Sequence, residues 1–106
     1  MDFAIILTTA SAVEEGQSIA NILVEKELAA CVNIIPNLSS VYRWEGKIQS
    51  ETEVLLLIKT TKDLEAEVYR EVQAVHSYDT PELITLPITN GSETYLDWLT
   101  AAVRKQ

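Results

Sequence analysis

The chain has 106 residues, of which 47% are hydrophobic and 23% are charged, so we expect one globular domain over residues 1–106. This composition excludes a disordered tail and a collagen-like chain. With 8 Lys and Arg against 16 Asp and Glu, the formal net charge is −8, which makes nucleic acid and anionic membrane surfaces unfavourable partners.

The first predicted elements are a strand and a helix. Residues 3–9 form a short apolar run rich in β-branched side chains, which is typical of a strand buried on both faces. Ser11 and Glu14 then have the spacing of a capping box, and Ile19 and Leu23 continue at helical spacing. We therefore predict a helix that begins near residue 11.

A long hairpin is predicted next, from residue 30 to residue 61. Gly46 tolerates the positive φ of a tight turn, so residues 44–47 form its tip, and Pro36 indicates a bulge on the first arm. The 16 residues of that arm would extend about 50 Å, whereas a compact chain of this size has a radius of gyration of about 13 Å. The hairpin must curl back or project, and a projecting ribbon needs support from another subunit.

The remaining elements are a helix, a strand and a final helix. Leu64, Val68 and Val72 form an apolar stripe, with Thr61 or Asp63 as the helix cap. Residues 83–88 are predicted to form a final strand, with Pro87 either near the strand end or at a sheet edge, and a last helix follows Ser92.

This order, β-α-β-β-α-β plus a C-terminal helix, predicts an α+β ferredoxin-like domain with an antiparallel sheet and helices on one face. Residues 4–7 and 54–58 are apolar at every position, so both faces of these strands are apolar. In an isolated sheet, the face that meets water should instead carry polar residues at alternate positions. We therefore expect another copy of the chain to cover that face.

The chain lacks the common short signatures of nucleotide binding, metalloprotease and hydrolase chemistry. A single cysteine excludes an intrachain disulfide, and with a single histidine it cannot complete a four-ligand zinc site. The N-terminus does not read as a secretory signal, and no apolar run is long enough to span a bilayer, so we expect a cytoplasmic location and no membrane partner.

Several chemically capable side chains fall at element ends or on the hairpin, and they are Cys31, Tyr42, Trp44, Glu53, Lys59, His76, Tyr78 and Glu82. A cysteine in an apolar strand, such as Cys31, is more often a small buried hydrophobe than a ligand, whereas His76 is equally well interpreted as a ligand or as a residue that satisfies helix carbonyls. A thiolate with an imidazole would favour copper or zinc, but the two are 45 positions apart and their spacing is no motif.

Five segments together resemble the CutA family of divalent-cation tolerance proteins. They are residues 29–36 (AACVNIIP), 42–48 (YRWEGKI), 57–60 (LIKT), 76–82 (HSYDTPE) and 95–98 (YLDW). The resemblance runs from the first strand to the last helix. It implies a ferredoxin-like subunit in a homotrimer similar to the nitrogen-regulatory PII proteins.

The resemblance also implies divalent metal tolerance and binding of copper, or alternatively zinc, with no organic cofactor. It places Tyr42, Trp44, Lys59, Tyr78 and Glu82 in a ligand cleft between subunits, and Cys31 and His76 at the metal. Some relatives carry further cysteines that are proposed to bind copper. This chain has Thr8 in its first strand and no cysteine in its second predicted helix, which argues against a copper site made of several thiolates.

Three functions follow as hypotheses. The first is a trimeric cytoplasmic protein that binds metal or a small ligand in its clefts, and not an enzyme. The second is a PII-like scaffold that acts through protein partners without metal. The third is an enzyme with His76 as general base and Lys59 as anion stabiliser.

Overall fold

A computed structural model describes residues 2–105, so the two ends of the predicted domain 1–106 lie outside the described residues. The elements in chain order are β1 Phe3–Ala10, α1 Val13–Glu25, β2 Cys31–Trp44, β3 Lys47–Thr61, a 3-10 turn Lys62–Leu64, α2 Glu65–Val75, β4 Ile84–Ile88 and α3 Glu93–Ala102. The four strands form one antiparallel sheet in the order β2-β3-β1-β4. The predicted ferredoxin-like fold is confirmed. No helix within residues 2–105 is long and apolar enough to cross a membrane.

The main core lies between one face of the sheet and helices α1 and α2. Ile6 of β1 and Leu56 of β3 are fully buried, and they belong to one cluster with Leu23 of α1 and Val68 of α2. Gly16 lets α1 approach the sheet closely, because a Cβ there would lie 3.2 Å from the Leu56 side chain. The apolar stripes seen in the sequence therefore become the helix-facing core.

The other face of the sheet is also apolar but only partly covered. Thr85 of β4 forms a hydrogen bond with the Tyr69 hydroxyl of α2, so its neighbour Leu86 lies on the opposite face, where it pairs with Ile5. Ile5 is partly buried and Leu86 is 45% exposed. We name this surface, which contains Ile5 and Leu86, the open face. Its apolar character agrees with the sequence, in which residues 4–7 and 54–58 are apolar at every position.

The helix ends differ in part from the sequence prediction. α1 begins at Val13 with Ala12 as its cap residue, and Ser11 donates its amide and its hydroxyl to Glu15, so the capping box predicted at Ser11 and Glu14 is wrong by one residue. The cap predicted at Thr61 or Asp63 makes no side-chain hydrogen bond, because a 3-10 turn precedes α2. Ser92 does cap α3, where its hydroxyl accepts from the Tyr95 amide.

Candidate functional site

The β2–β3 hairpin projects beyond the rest of the sheet. β1 pairs with β3 only as far as Val54, whereas β2 and β3 continue to pair up to Trp44 and Lys47. The distal half is therefore a two-stranded ribbon, and the molecule measures 44 × 25 × 21 Å. The tip of the ribbon has positive φ at both central residues, Glu45 (51°) and Gly46 (77°). Two-residue turns of this kind match the twist of the strands in a hairpin.

A bulge marks the base of this ribbon. The register of β2 against β3 shifts between Ile35 and Leu38, and Asn37 has a φ of 62°. Asparagine accepts this backbone conformation more readily than most residues, and a bulge increases the local twist. The irregularity predicted at Pro36 is therefore present, and it separates the sheet from the ribbon.

The loop between α2 and β4, residues 76–83, faces the base of the ribbon and is anchored from behind. The His76 side chain is fully buried, and its Nδ1 accepts a hydrogen bond of 3.0 Å from the Tyr78 amide. Its Nε2 therefore carries the proton and donates to the Thr9 carbonyl at 2.7 Å. Glu15 of α1 accepts a 2.8 Å hydrogen bond from the Ser77 amide. These contacts aim Tyr78 at the hairpin.

A cleft of about 650 Å³ lies between the ribbon and this loop. Its lining consists of Thr9, Ser39, Ser40, Val41, Tyr42, Trp44, Glu51, Glu53, Tyr78, Asp79, Thr80 and Glu82. Four carboxylates and three aromatic rings thus surround one space, and no Lys, Arg or His among residues 2–105 lines it. The cleft is acidic and aromatic, which suits a cation better than an anion.

Two tyrosines hold two of these carboxylates in place. The Tyr78 hydroxyl donates to Glu53 Oε2 at 2.6 Å, and the Tyr42 hydroxyl donates to Glu51. Burial raises the pKa of Tyr78 above its usual range, and the hydrogen bond to Glu53 and the nearby negative charges raise it further. Tyr78 therefore stays a neutral donor at any physiological pH.

Four of the five residues predicted for the ligand cleft line it, namely Tyr42, Trp44, Tyr78 and Glu82. Lys59 does not. Its ammonium lies 5.8 Å from the centre of the Tyr95 ring of α3. Neither Lys59 nor His76 lines the cleft, so the structure does not bring the proposed base and anion stabiliser of the enzyme hypothesis into it.

Cys31 and His76 do not converge within one chain. Cys31 pairs with Lys59 on β3, whereas Thr9, the acceptor for His76, pairs with Leu55. Four residues along a strand correspond to about 13 Å. Both ring nitrogens of His76 are already bonded, and within the described chain no group of three or more His, Cys, Asp or Glu side chains could hold a metal ion. Cys31 and His76 of one chain therefore do not form a metal site together in this structure. Their role as metal ligands stays a prediction.

The sequence prediction does not assign three acidic residues to the cleft: Glu51 and Asp79 are not named by it, and Glu53 is named only as a chemically capable residue of the hairpin. A sequence signal for two of them exists, because alternation along a strand places positions 51 and 53 on the same face of β3. Asp79 carries no such signal, since its position depends on how the loop is anchored by His76 and Glu15.

A comparison with known proteins decides the family. A sequence profile described as "CutA1 divalent ion tolerance protein" matches residues 4–102. The chain belongs to the CutA1 family. The resemblance found in the five sequence segments is thereby confirmed.

Named relatives agree with this CutA1 assignment. The chain is 53% identical over 91 residues to "Protein CutA, chloroplastic" of Arabidopsis thaliana, a match that covers 86% of this chain and 50% of that protein. It is 46% identical over 95 residues to "Divalent-cation tolerance protein CutA" of Thermus thermophilus, covering 90% of this chain and 92% of that one. The chain thus spans about half the length of the Arabidopsis relative and nearly all of the bacterial one.

A solved CutA1 structure has the same fold. The crystal structure of CutA1 from Oryza sativa superposes with a TM-score of 0.97 at 42% sequence identity, covering 100% of this chain and 97% of that one. The Thermus relative is named for divalent-cation tolerance, and the names of these three relatives state no enzymatic activity.

Proposed function

We propose that this protein binds divalent cations in the acidic cleft between the ribbon and the loop after α2, as a self-associated trimer that serves divalent-ion tolerance. The family description and the name of the Thermus relative supply the physiological context. The observation that carries the proposal is the lining of the cleft, in which four carboxylates meet no basic side chain of the described chain. Because no three of these carboxylates within residues 2–105 are grouped closely enough to hold a metal ion, the proposal requires a further copy of the chain to complete the ligand set. Copper is the first ion to test and zinc the alternative.

The apolar open face supports the trimer. Ile35 of β2 and both Ile84 and Leu86 of β4 are each more than 40% exposed, so apolar surface extends to both outer strands of the sheet. An apolar surface spread across a sheet is stabilised when a second sheet covers it. The projecting ribbon, with Val41 and Ile48 at about 70% exposure, offers a second surface for the same assembly.

Calorimetric titration of the metal-free protein with Cu(II) and Zn(II) tests the proposed site. We expect the double variant Glu51→Gln, Glu53→Gln to lose at least about ten-fold in affinity, because removal of both charges leaves only neutral oxygen ligands in the ribbon wall. The matched control is Glu25→Gln, an exposed carboxylate at the end of α1. Equal affinities of the double variant and the control would overturn the proposal.

Two further variants separate this cleft from the site predicted by sequence. Cys31→Ser should leave the affinity for Cu(II) within about three-fold, since its side chain neither lines the cleft nor contacts the loop that does. His76→Ala removes the hydrogen bonds that anchor this loop, so a loss of affinity in that variant alone does not assign the metal to His76. A ten-fold loss in both, with no loss in the double glutamate variant, would move the metal to Cys31 and His76 and contradict the cleft assignment.

A further inference from the structure

The cleft is larger and more aromatic than a metal ion alone requires. Its volume of about 650 Å³ lies within the range of about 300–1,000 Å³ that small-molecule sites occupy. Tyr42, Trp44 and Tyr78 contribute aromatic surface to its walls. Aromatic faces attract organic cations through the negative charge of the ring face, and they also bury methylene groups.

One carboxylate oxygen in the cleft is left without a donor. Glu53 is 8% exposed, and its Oε2 accepts from the Tyr78 hydroxyl at 2.6 Å. Within residues 2–105, no group donates a hydrogen bond to its other oxygen, Oε1. Oε1 is also not one of the fully buried polar atoms without a partner in that part of the chain, so it retains some exposed surface. A largely buried carboxylate oxygen that still reaches the cleft favours a ligand with a charged N–H donor.

The remaining carboxylates extend this preference along the cleft. Glu51 lies two residues before Glu53 on the same face of β3, which places the two positions about 7 Å apart. Asp79 and Glu82 belong to the opposite wall, and neither makes a hydrogen bond or ion pair within the described chain. The negative charges are therefore spaced along both walls rather than gathered at one point.

We propose that the cleft binds a linear aliphatic di- or polyamine. One ammonium group donates to Glu53 Oε1, and a second lies about 7 Å away at Glu51. The remainder of a longer polyamine continues along the ribbon past Tyr42 towards Trp44, which lies nearer the tip than Glu51. This proposal rests on the proposed function in one respect only, because both place the ligand in the same acidic cleft.

The test is calorimetric titration of the purified, assembled protein with 1,4-diaminobutane and spermidine, and with 1,4-butanediol as the uncharged comparison. We expect both amines to bind and the diol not to bind. Glu53→Gln should weaken amine binding by at least about ten-fold, because it removes a charge-assisted hydrogen bond yet keeps an acceptor for Tyr78. Trp44→Leu should weaken the binding of spermidine by about three-fold and that of 1,4-diaminobutane less, because Trp44 lies nearer the ribbon tip than Glu51.

Controls exclude general attraction to an acidic surface. Glu25→Gln removes one exposed charge outside the cleft, and Val24→Ala changes an exposed apolar residue of α1 that lies outside the cleft, the ribbon and the open face. Both should bind amines as the unmodified protein does. Affinities that fall equally in the controls and in the cleft variants would overturn the proposal, as would the absence of amine binding at millimolar concentration.

The two proposals fail separately. Cu(II) binding in the cleft without amine binding overturns the amine proposal and leaves the proposed function intact. Amine binding that depends on Glu53 and Trp44, in a protein that binds neither Cu(II) nor Zn(II), overturns the metal part of the proposed function and supports the amine.

Discussion

Two buried threonines on neighbouring strands differ in one hydrogen bond. Thr8 of β1 and Thr60 of β3 are both fully buried. The Thr60 hydroxyl donates to the Leu28 carbonyl at 2.6 Å. The Thr8 hydroxyl is buried and has no hydrogen-bond partner within residues 2–105. A buried hydroxyl stabilises a fold only when it is paired, so the two side chains contribute with opposite sign.

Substitution by valine, which has nearly the same shape, measures this difference. We expect Thr8→Val to raise the free energy of unfolding by about 1 kcal/mol, because it removes an unpaired polar group, and Thr60→Val to lower it by about 1 kcal/mol. Urea unfolding followed by circular dichroism, at one fixed protein concentration, provides the measurement. Shifts of the same sign in both variants would contradict the assignment.

At the scale of elements, Glu15 joins the start of α1 to the loop that forms one wall of the cleft. Its carboxylate accepts from the amide and hydroxyl of Ser11 and from the Ser77 amide. Burial by itself raises the pKa of Glu15, but the hydrogen bonds from Ser77 and Ser11 outweigh it and lower the pKa from 4.5 to about 2. The ionised form of Glu15 therefore stabilises the folded state.

The sign of this pKa shift predicts the pH dependence. The folded pKa lies below the unfolded one, so the stabilisation is complete above about pH 4.5 and is lost as the pH falls towards 2. We expect Glu15→Gln to lower the free energy of unfolding at pH 7 by about 1–2 kcal/mol, and to remove part of the acid sensitivity between pH 4.5 and 2. Unfolding in urea at a series of pH values measures both effects.

Glu14→Gln is the matched control, since Glu14 is the exposed neighbour of Glu15 and makes no hydrogen bond in the described chain. It should follow the unmodified protein at every pH. An acid transition that is identical in Glu15→Gln and in the unmodified protein would show that the contact between α1 and the loop contributes nothing.

The sequence predicted elements wherever local pattern and packing agree. The Glu45-Gly46 turn, the irregularity near Pro36 and the Ser92 cap each follow from the conformational preference of one or two residues. The start of α1 was misplaced because the Ser11 partner is Glu15, whose carboxylate also accepts from Ser77, 62 positions away. No local pattern contains that contact.

The candidate site was predictable for the residues that the family resemblance carries, and less so for its charge. Tyr42, Trp44, Tyr78 and Glu82 reach one cleft, but Lys59 of β3 lies beside Tyr95 of α3. The difference arises from the position of each residue along β3. Lys59 pairs with Cys31 near the C-terminal end of β3, whereas the cleft lies beyond Ala10 and Val54, where the pairing of β1 with β3 stops. Sequence order alone does not show which end of a strand a loop will cover.

At the scale of the whole molecule, the two faces of the sheet have unequal cover. Helices α1 and α2 bury one face, where Ile6 and Leu56 have no exposed surface. The open face leaves Leu86 45% exposed, and the ribbon extends past the core along the 44 Å axis. No element within residues 2–105 covers this second face completely, and association with further copies would remove that surface from water.

A charge placed on the open face should dissociate the proposed trimer. Sedimentation equilibrium at micromolar concentration should give about three times the chain mass of 11.8 kDa for the unmodified protein, and the mass of a single chain for Leu86→Glu, because burial of an unpaired carboxylate between sheets is strongly unfavourable. Val24→Glu is the control, since Val24 is equally exposed, at 44%, but lies on α1 outside the sheet. A single-chain mass for the unmodified protein would contradict self-association through this face, and a trimer that persists in Leu86→Glu would place the contact on the ribbon instead.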